Sequence, residues 1–186
     1  TVTINDSQGV PTVTEVNGIA AKTAGVVTAT LAAAGKTVLA GLNTASTDEI
    51  TLEINDSQGD PTVTELNTIA GKTAGVVTAS LAAAGKTVLA GLNTASTDVI
   101  TLEINDSQGD PTVTELNGIA GKTAGVVTAS LAAAGKTVLS GLNTAATDVI
   151  TVTINDSQGV PTVTEVNGIA AKTAGVVTAT LAAGSL

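Results

Sequence analysis

The hexapeptide Ile-Asn-Asp-Ser-Gln-Gly begins at Ile4, Ile54, Ile104 and Ile154, so the chain repeats every 50 residues without slippage. A fixed period of this length points to a solenoid, a propeller or a stacked array, because each repeat meets the same neighbours as the last. A second rhythm runs inside each repeat. The stretch from Thr62 to Asn67 is echoed from Thr87 to Asn93. Asn17, Asn43, Asn67, Asn93, Asn117, Asn143 and Asn167 are spaced alternately by 26 and 24 residues. The structural unit is therefore about 25 residues, the size of one strand-plus-helix coil.

The first half-unit spans Ile50 to Thr73. Ile50, Leu52 and Ile54 alternate with Thr51 and Glu53, which predicts a strand with one face inward. Asp60-Pro61 reads as an N-cap followed by proline at the first helical position, and Thr62 with Glu65 offers a capping box one step later. Val63, Leu66, Ile69 and Ala70 then follow at helical spacing. In the second half-unit, Val77, Ala79 and Leu81 alternate with Val76, Thr78 and Ser80, predicting another strand. Val88, Leu92 and Ala95, with Leu89 beside them, predict a second helical stripe.

Strand and helix in strict alternation with short turns give parallel strands joined by right-handed crossovers. A closed barrel needs eight such units with longer helices, and this chain holds seven and a strand. The predicted fold is α/β: an open right-handed βα-solenoid of about 25-residue coils, with a parallel sheet on one face and short helices on the other. Its shape would be that of a leucine-rich repeat, although the L-x-x-L-x-L-x-x-N pattern is absent. The array occupies residues 1–186 as one domain, with repeats at 1–50, 51–100 and 101–150 and a partial copy at 151–183. Gly184-Ser185-Leu186 departs from the repeat and reads as a foreign remnant, and Thr1 opens directly on a strand pattern with no leader ahead of it. The sequence thus reads as an excised or designed segment.

Composition narrows the function classes. There is no Cys, His, Met, Trp, Tyr, Phe or Arg, so the core is Ala, Val, Leu and Ile, and it closes by stacking small similar layers. A net charge of -9 with only seven lysines argues against nucleic acid and anionic membranes, and without aromatic rings there is no base-stacking platform. No apolar run reaches the ~18 residues of a membrane span. Catalysis lacks both His and Cys, nothing in the local sequence pairs a lysine as base with a nucleophile, and the acids fall on turns or exposed faces, so no enzyme, catalytic residue or cofactor is expected.

Three motifs suggest chemistry. Gly35-Lys36-Thr37, repeated at Gly85 and Gly135, resembles the end of a phosphate-binding loop, but the glycine that must precede it is Thr30, Ser80 or Ser130. It reads as a turn, with Gly35 a permissive backbone and Lys36 a solvated charge, and no nucleotide is expected. A second Gly71-Lys72-Thr73 falls at a helix end, where the lysine faces carbonyls. The oxygen-rich Asn55–Asp60 turn makes Asp6, Asp56, Asp106 and Asp156 calcium candidates. Against calcium, Asp60 and Asp110 become Val10 and Val160 in the outer copies, and an Asx-type turn is the favoured reading. Finally, Thr1, Thr3, Thr28, Thr30, Thr151, Thr153, Thr178 and Thr180 face outward in Thr-x-Thr pairs, a pattern that also suits an ice-binding face. Threonine is equally the ordinary choice for an exposed strand position.

The run Leu66-Asn67-x-Ile69-Ala70-Gly71-Lys72-Thr73-x-Gly75-Val76-Val77-Thr78-Ala79 resembles the tandem repeats of very long bacterial cell-surface, adhesin-like proteins, or a consensus design of them. The resemblance implies an extracellular or surface-layer setting and no catalytic residues. The expected function is a structural spacer or scaffold, the alternative being a binding module that uses calcium turns or the Thr array. Residues 1–33 recur unchanged at 151–183, and neither end carries a polar cap. End-to-end self-association through uncapped termini is therefore expected.

Overall fold

The computed structural model describes residues 1–181. Residues 182–186, which hold the last two positions of the partial repeat and the Gly184–Leu186 remnant, lie outside the description, as does the side chain of the calcium candidate Asp106. The strands are β1 (Val2–Thr3), β2 (Val27–Thr30), β3 (Glu49–Glu53), β4 (Val77–Ser80), β5 (Ala84–Gly85), β6 (Val99–Asn105), β7 (Val127–Ser130), β8 (Ala134–Gly135), β9 (Val149–Asn155) and β10 (Val177–Ala179). Four helices occupy the first half-units: α1 (Val13–Ala20), α3 (Val63–Ala70), α5 (Val113–Ala120) and α7 (Val163–Ala170). Three one-turn helices occupy the second: α2 (Lys36–Leu39), α4 (Lys86–Leu89) and α6 (Lys136–Leu139). All strand pairs are parallel, in the order β1-β2-β3-β4-β6-β7-β9-β10, with β5 beside β6 and β8 beside β9. The sheet is open.

The chain divides into two compact units. The first contains Thr1–Ala82, Leu92–Thr101 and Lys122–Gly125; the second contains Ala83–Gly91, Leu102–Gly121 and the chain from Val126 onward.

In the first unit the predicted alternation holds. Ile50, Leu52, Ile54, Val77, Ala79 and Leu81 are buried, while Thr51, Glu53, Val76 and Ser80 are exposed. Val63, Leu66 and Ile69 of α3 are buried against this face. The capping box is Thr62 with Glu65: Glu65 N–H donates to Thr62 Oγ1 at 3.3 Å, and Thr62 N–H donates to Glu65 Oε2 at 2.8 Å. The helix N-cap is thus Thr62 and not Asp60. Pro61 precedes the cap, buried, with its carbonyl accepting from Ala82 N–H.

The register contains a step the sequence does not announce. Thr28 pairs with Glu49, whereas its equivalent 50 residues on, Thr78, pairs with Glu53. Equivalent strands therefore sit four residues apart along β3. Between Thr30↔Thr51 and Ala34↔Ile54 the earlier strand uses one extra residue, a bulge that carries the chain around Leu31.

The second unit repeats these features. Glu103 pairs with Thr128 and Thr128 with Val149, and the extra residue recurs between Ser130↔Thr151 and Ala134↔Ile154. Leu102, Ile104, Val127, Ala129, Ile150, Val152 and Ile154 are buried strand residues of this unit, with Leu131 buried just after β7.

The second helical stripe differs from expectation. Only one turn is helical, from Lys86 to Leu89, so Leu89 and Leu92 are buried but Val88 is 51% exposed and Ala95 is exposed too. A single turn has no second apolar row to bury, and the asparagine after it, Asn93, is captured by the neighbouring coil through the Asn67 carboxamide at 2.7 Å.

Gly18, Gly118 and Gly168 sit inside α1, α5 and α7, where a Cβ would meet nothing within 4 Å and φ is not positive. The fourth copy of this position is Thr68, so a side chain is already accommodated there. Gly118→Ala is expected to raise stability by about 0.5–1 kcal/mol through lower unfolded-state entropy, read as a higher urea midpoint at unchanged slope. A loss of stability would contradict this account of the position.

Candidate functional site

The residues that resemble a phosphate loop are occupied by their own protein. Gly35 has an ordinary extended φ of -67°, so it is not there for a left-handed backbone. A Cβ on it would lie 2.5 Å from Gln58 Oε1, and that carboxamide accepts from Thr37 N–H at 2.9 Å, capping α2 from the following turn. Gly85 with Gln108 and Gly135 with Gln158 repeat the arrangement, with Thr87 and Thr137 N–H donating at 2.8 and 2.9 Å. The amides that a phosphate would need are therefore taken: Val38 and Leu39 N–H both donate to Gly35 O.

Lys36 is an ion-pair partner and not simply a solvated charge. Its Nζ stands 3.2 Å from Glu65 Oε2 and donates to Asp60 O at 3.1 Å. Lys86–Glu115 at 3.2 Å and Lys136–Glu165 at 3.1 Å match it. The acid in each pair is the capping-box glutamate of the next long helix. One carboxylate thus caps its own helix and ties back to the previous coil.

The other Gly-Lys-Thr also closes coil against coil. Lys72 Nζ donates to Leu42 O at 2.7 Å, so the lysine does face a carbonyl beyond a helix end, but that of the preceding α2 turn. Thr73 is buried, accepting from Ile50 N–H at 2.7 Å and Gly75 N–H at 2.8 Å while its hydroxyl faces the Asp48 and Ile50 carbonyls.

Two sets of residues with the same role give little signal in the sequence. Asp48, Asp98 and Asp148 are buried carboxylates with neutral partners: Asp48 Oδ1 accepts from Val27 N–H at 2.8 Å and Oδ2 from Ala45 N–H at 2.9 Å. Their own carbonyls receive Ala74, Ala124 and Ala174 N–H at 2.7 Å. Asn17 donates through Nδ2 to Gly41 O at 2.9 Å and accepts from Asn43 N–H at 2.7 Å, which explains the 26-residue spacing between them. The only hint for the aspartates is an unvarying Thr-Asp two residues before each inward Ile, at Ile50, Ile100 and Ile150.

The turns carrying the calcium candidates are Asx turns. Asn55 Oδ1 accepts from Ser57 N–H and Oγ–H, Asp56 O accepts from Gly59 N–H, and Gly59 takes φ +74°. Asp6, Asp56 and Asp156 are exposed on these turns. Glu53, Asp56 and Asp60 line one hollow of about 280 Å³. Among the described residues no group of three His, Cys, Asp or Glu side chains is placed to hold a metal ion.

On the outward face, Thr3 pairs with Thr28 and Thr30 with Thr51, but Thr28 meets Glu49 and donates to it at 3.3 Å. Thr153 pairs with Thr178, while Thr128 meets Glu103 and Val149. The four-residue step between equivalent strands thus breaks the threonine pairs into columns of two.

The capping glutamates carry the resolved electrostatic shift. Thr62 N–H, then the Thr62 hydroxyl and Lys36, hold the Glu65 carboxyl below its ordinary 4.5; Glu115 and Glu165 are lowered likewise, and Glu15 by Thr12 alone. A carboxyl with a lower value in the folded than in the unfolded chain contributes stability above the unfolded value and loses it as pH falls through the folded one. The melting temperature is therefore expected to be flat from neutrality to about pH 5 and to drop below 4.5. Thermal scans across that range check this, and Glu65→Gln should flatten part of the fall.

No family model, curated protein or solved structure matches the chain. No helix among the described residues is long and apolar enough to cross a membrane.

Proposed function

We propose that the chain is a structural repeat, a spacer or scaffold whose length is set by the number of coils. The observation that supports this most is the fate of its polar side chains. Lys36, Lys72 and Thr73 of the Gly-Lys-Thr motifs and Gln58 of the Asn-Asp-Ser-Gln-Gly turn, together with Asn17 and Asp48, are spent on bonds between one coil and the next. The same bonds recur 50 residues later, as in Lys36–Glu65 and Lys86–Glu115. Such an interface adds one more coil at no change of chemistry.

The finer architecture belongs to this reading: a right-handed βα-solenoid, leucine-rich-repeat-like in shape, with helices opposite the sheet. Its handedness follows from the strong preference of parallel crossovers. The resemblance of Leu66–Ala79 to bacterial surface repeats supports an extracellular setting. Among the described residues β1 and β10 each pair on one side only, which supports end-to-end association between copies.

Chains carrying one, two or three further copies of residues 51–100 test the proposal. Small-angle scattering should show the longest dimension growing by about 10 Å per 50-residue repeat, from two strand spacings of ~4.8 Å. The unfolding slope in urea should rise with it. A longest dimension that fails to grow sinks the spacer reading; a strict monomer at high concentration sinks end-to-end association alone.

A further inference from the structure

We propose that Asn55 and Asn105 are acceptor sites for N-linked oligosaccharide. The proposal rests on the reading of the chain as an exported surface repeat. Each asparagine stands in Asn-Asp-Ser, with a hydroxyl two positions on and no proline in the triplet or after it. That is the minimal acceptor pattern for N-glycosylation. All four turns contain it, at Asn5, Asn55, Asn105 and Asn155. The inner two differ in the residue two positions ahead, which is Glu53 or Glu103 where the outer copies have Thr3 or Thr153. A carboxylate at this distance gives a transferase with a cationic side chain beside its acceptor site a charge-assisted contact that the outer copies lack.

The fold presents both groups together. Glu53 ends β3 on the exposed face, and Asn55 follows two residues later on the same side. Glu53 and Asn55 line the same hollow of about 280 Å³. The Asn55 carboxamide is oriented by its own turn: Oδ1 accepts from Ser57 N–H at 3.2 Å and from the Ser57 hydroxyl at 2.6 Å. Asn105 has the same two bonds to Ser107 at the same lengths. With Oδ1 engaged by its own exposed turn, Nδ2 is the free end of the amide, and Asn55 Nδ2 has no protein acceptor among the described residues. The turn after Asn55 is exposed from Asp56 to Asp60 and lies outside the sheet ladder. To present Asn55 an enzyme must release its N–H from Ala34 O and Gln58 Oε1 from Thr37 N–H, while the rest of the ladder stays paired.

The co-substrate is a lipid-diphosphate-linked oligosaccharide. Nδ2 attacks the anomeric carbon, and the N–C bond forms as the C–O bond to the diphosphate breaks. The electron pair leaves on the diphosphate, and the amide proton passes to a base of the transferase.

The test incubates the folded 186-residue chain with an acid-requiring oligosaccharyltransferase and its lipid-diphosphate donor, followed by intact mass and site mapping. The expected product carries glycans at Asn55 and Asn105 and none at Asn5 or Asn155. Glu53→Thr with Glu103→Thr, which installs the residue the outer copies already tolerate, should lose both. Thr3→Glu with Thr153→Glu should gain the two outer sites. Equal modification of all four sites overturns the proposal, as does modification of the unfolded chain alone. Absence of transfer to the folded chain also overturns it, whether or not a free peptide spanning residues 53–60 is modified. Because the enzyme is supplied directly, the outcome does not depend on export, and failure of the spacer reading shows separately in the repeat-length series.

Discussion

Gly75→Ala is expected to destabilise the chain by about 3 kcal/mol or more, because the added methyl has nowhere to go. A Cβ at Gly75 would lie 2.5 Å from both the carbonyl carbon and oxygen of Ile50 and 2.8 Å from its nitrogen. These are backbone atoms of the neighbouring strand. Ile50 is fully buried, and its N–H is fixed by Thr73 Oγ1 at 2.7 Å, so neither side can yield without breaking a ladder bond. The conflict is one of approach and not of dihedral angle, since among the described residues positive φ occurs at Gly9, Gly59, Gly109 and Gly159 and not at Gly75. Gly125 and Gly175 meet the backbones of Ile100 and Ile150 in the same way and should behave alike. Gly25 is the internal control: its nearest atom is Thr1 N at 3.2 Å, a looser contact, so Gly25→Ala should cost clearly less. Urea unfolding of the two variants decides the matter. Equal losses, or a change at Gly75 within about 0.5 kcal/mol, would mean that the strands do not approach as described.

That close approach marks the limit of what the sequence can say. Periodicity located the strands and the long helices correctly because burial in a parallel sheet and on a helix face is a local pattern. Ile50, Leu52 and Ile54 reveal it by alternation, and Val63, Leu66 and Ile69 by helical spacing. The failures come where a residue answers to the neighbouring coil. Gly35 looks like a flexible turn until Gln58 is placed beside it, and Lys36 looks solvated until Glu65 arrives. Both partners lie more than 20 residues away, at a distance fixed by register. Register itself was illegible, because the four-residue step between Thr28↔Glu49 and Glu53↔Thr78 leaves the 50-residue period unchanged. The Thr array suffered most from this, since columns are made by pairing and not by composition. Val88 and Ala95 were misplaced for a simpler reason: a helix of one turn cannot hold a stripe.

Asp98→Ala is expected to cost about 3 kcal/mol, the second large effect, and for an electrostatic reason. The Asp98 side chain is 3% exposed and has no lysine beside it in the hydrogen-bond network. Its Oδ1 accepts from Val77 N–H at 2.8 Å and its Oδ2 from Ala95 N–H at 2.9 Å. Burying a charge without a counter-ion is costly unless directed donors replace water, and two backbone N–H groups do so here. Val77 begins β4, so the carboxylate is also the acceptor that starts this strand, in a place where no strand residue supplies one. Alanine would leave two donors without a partner at a buried position, each worth about 1–3 kcal/mol. Asp98→Asn separates charge from shape: the carboxamide keeps one acceptor but turns an NH₂ toward the other N–H, so it should recover less than half of the loss. Asp60→Val is the control within the same class of residue, because Val10 and Val160 already occupy that place, and it should be neutral to within about 0.5 kcal/mol. If Asp98→Asn proved as stable as the parent, charge would be irrelevant and the site merely a hydrogen-bonded cap. If Asp98→Ala were neutral, strand initiation would not depend on the side chain at all. The sequence shows both aspartates as acids beside a turn; Asp60 meets the neighbouring coil through its backbone carbonyl, which valine keeps, whereas Asp98 does so through its side chain, and that coil-to-coil bond, more than the acid, is what a substitution removes.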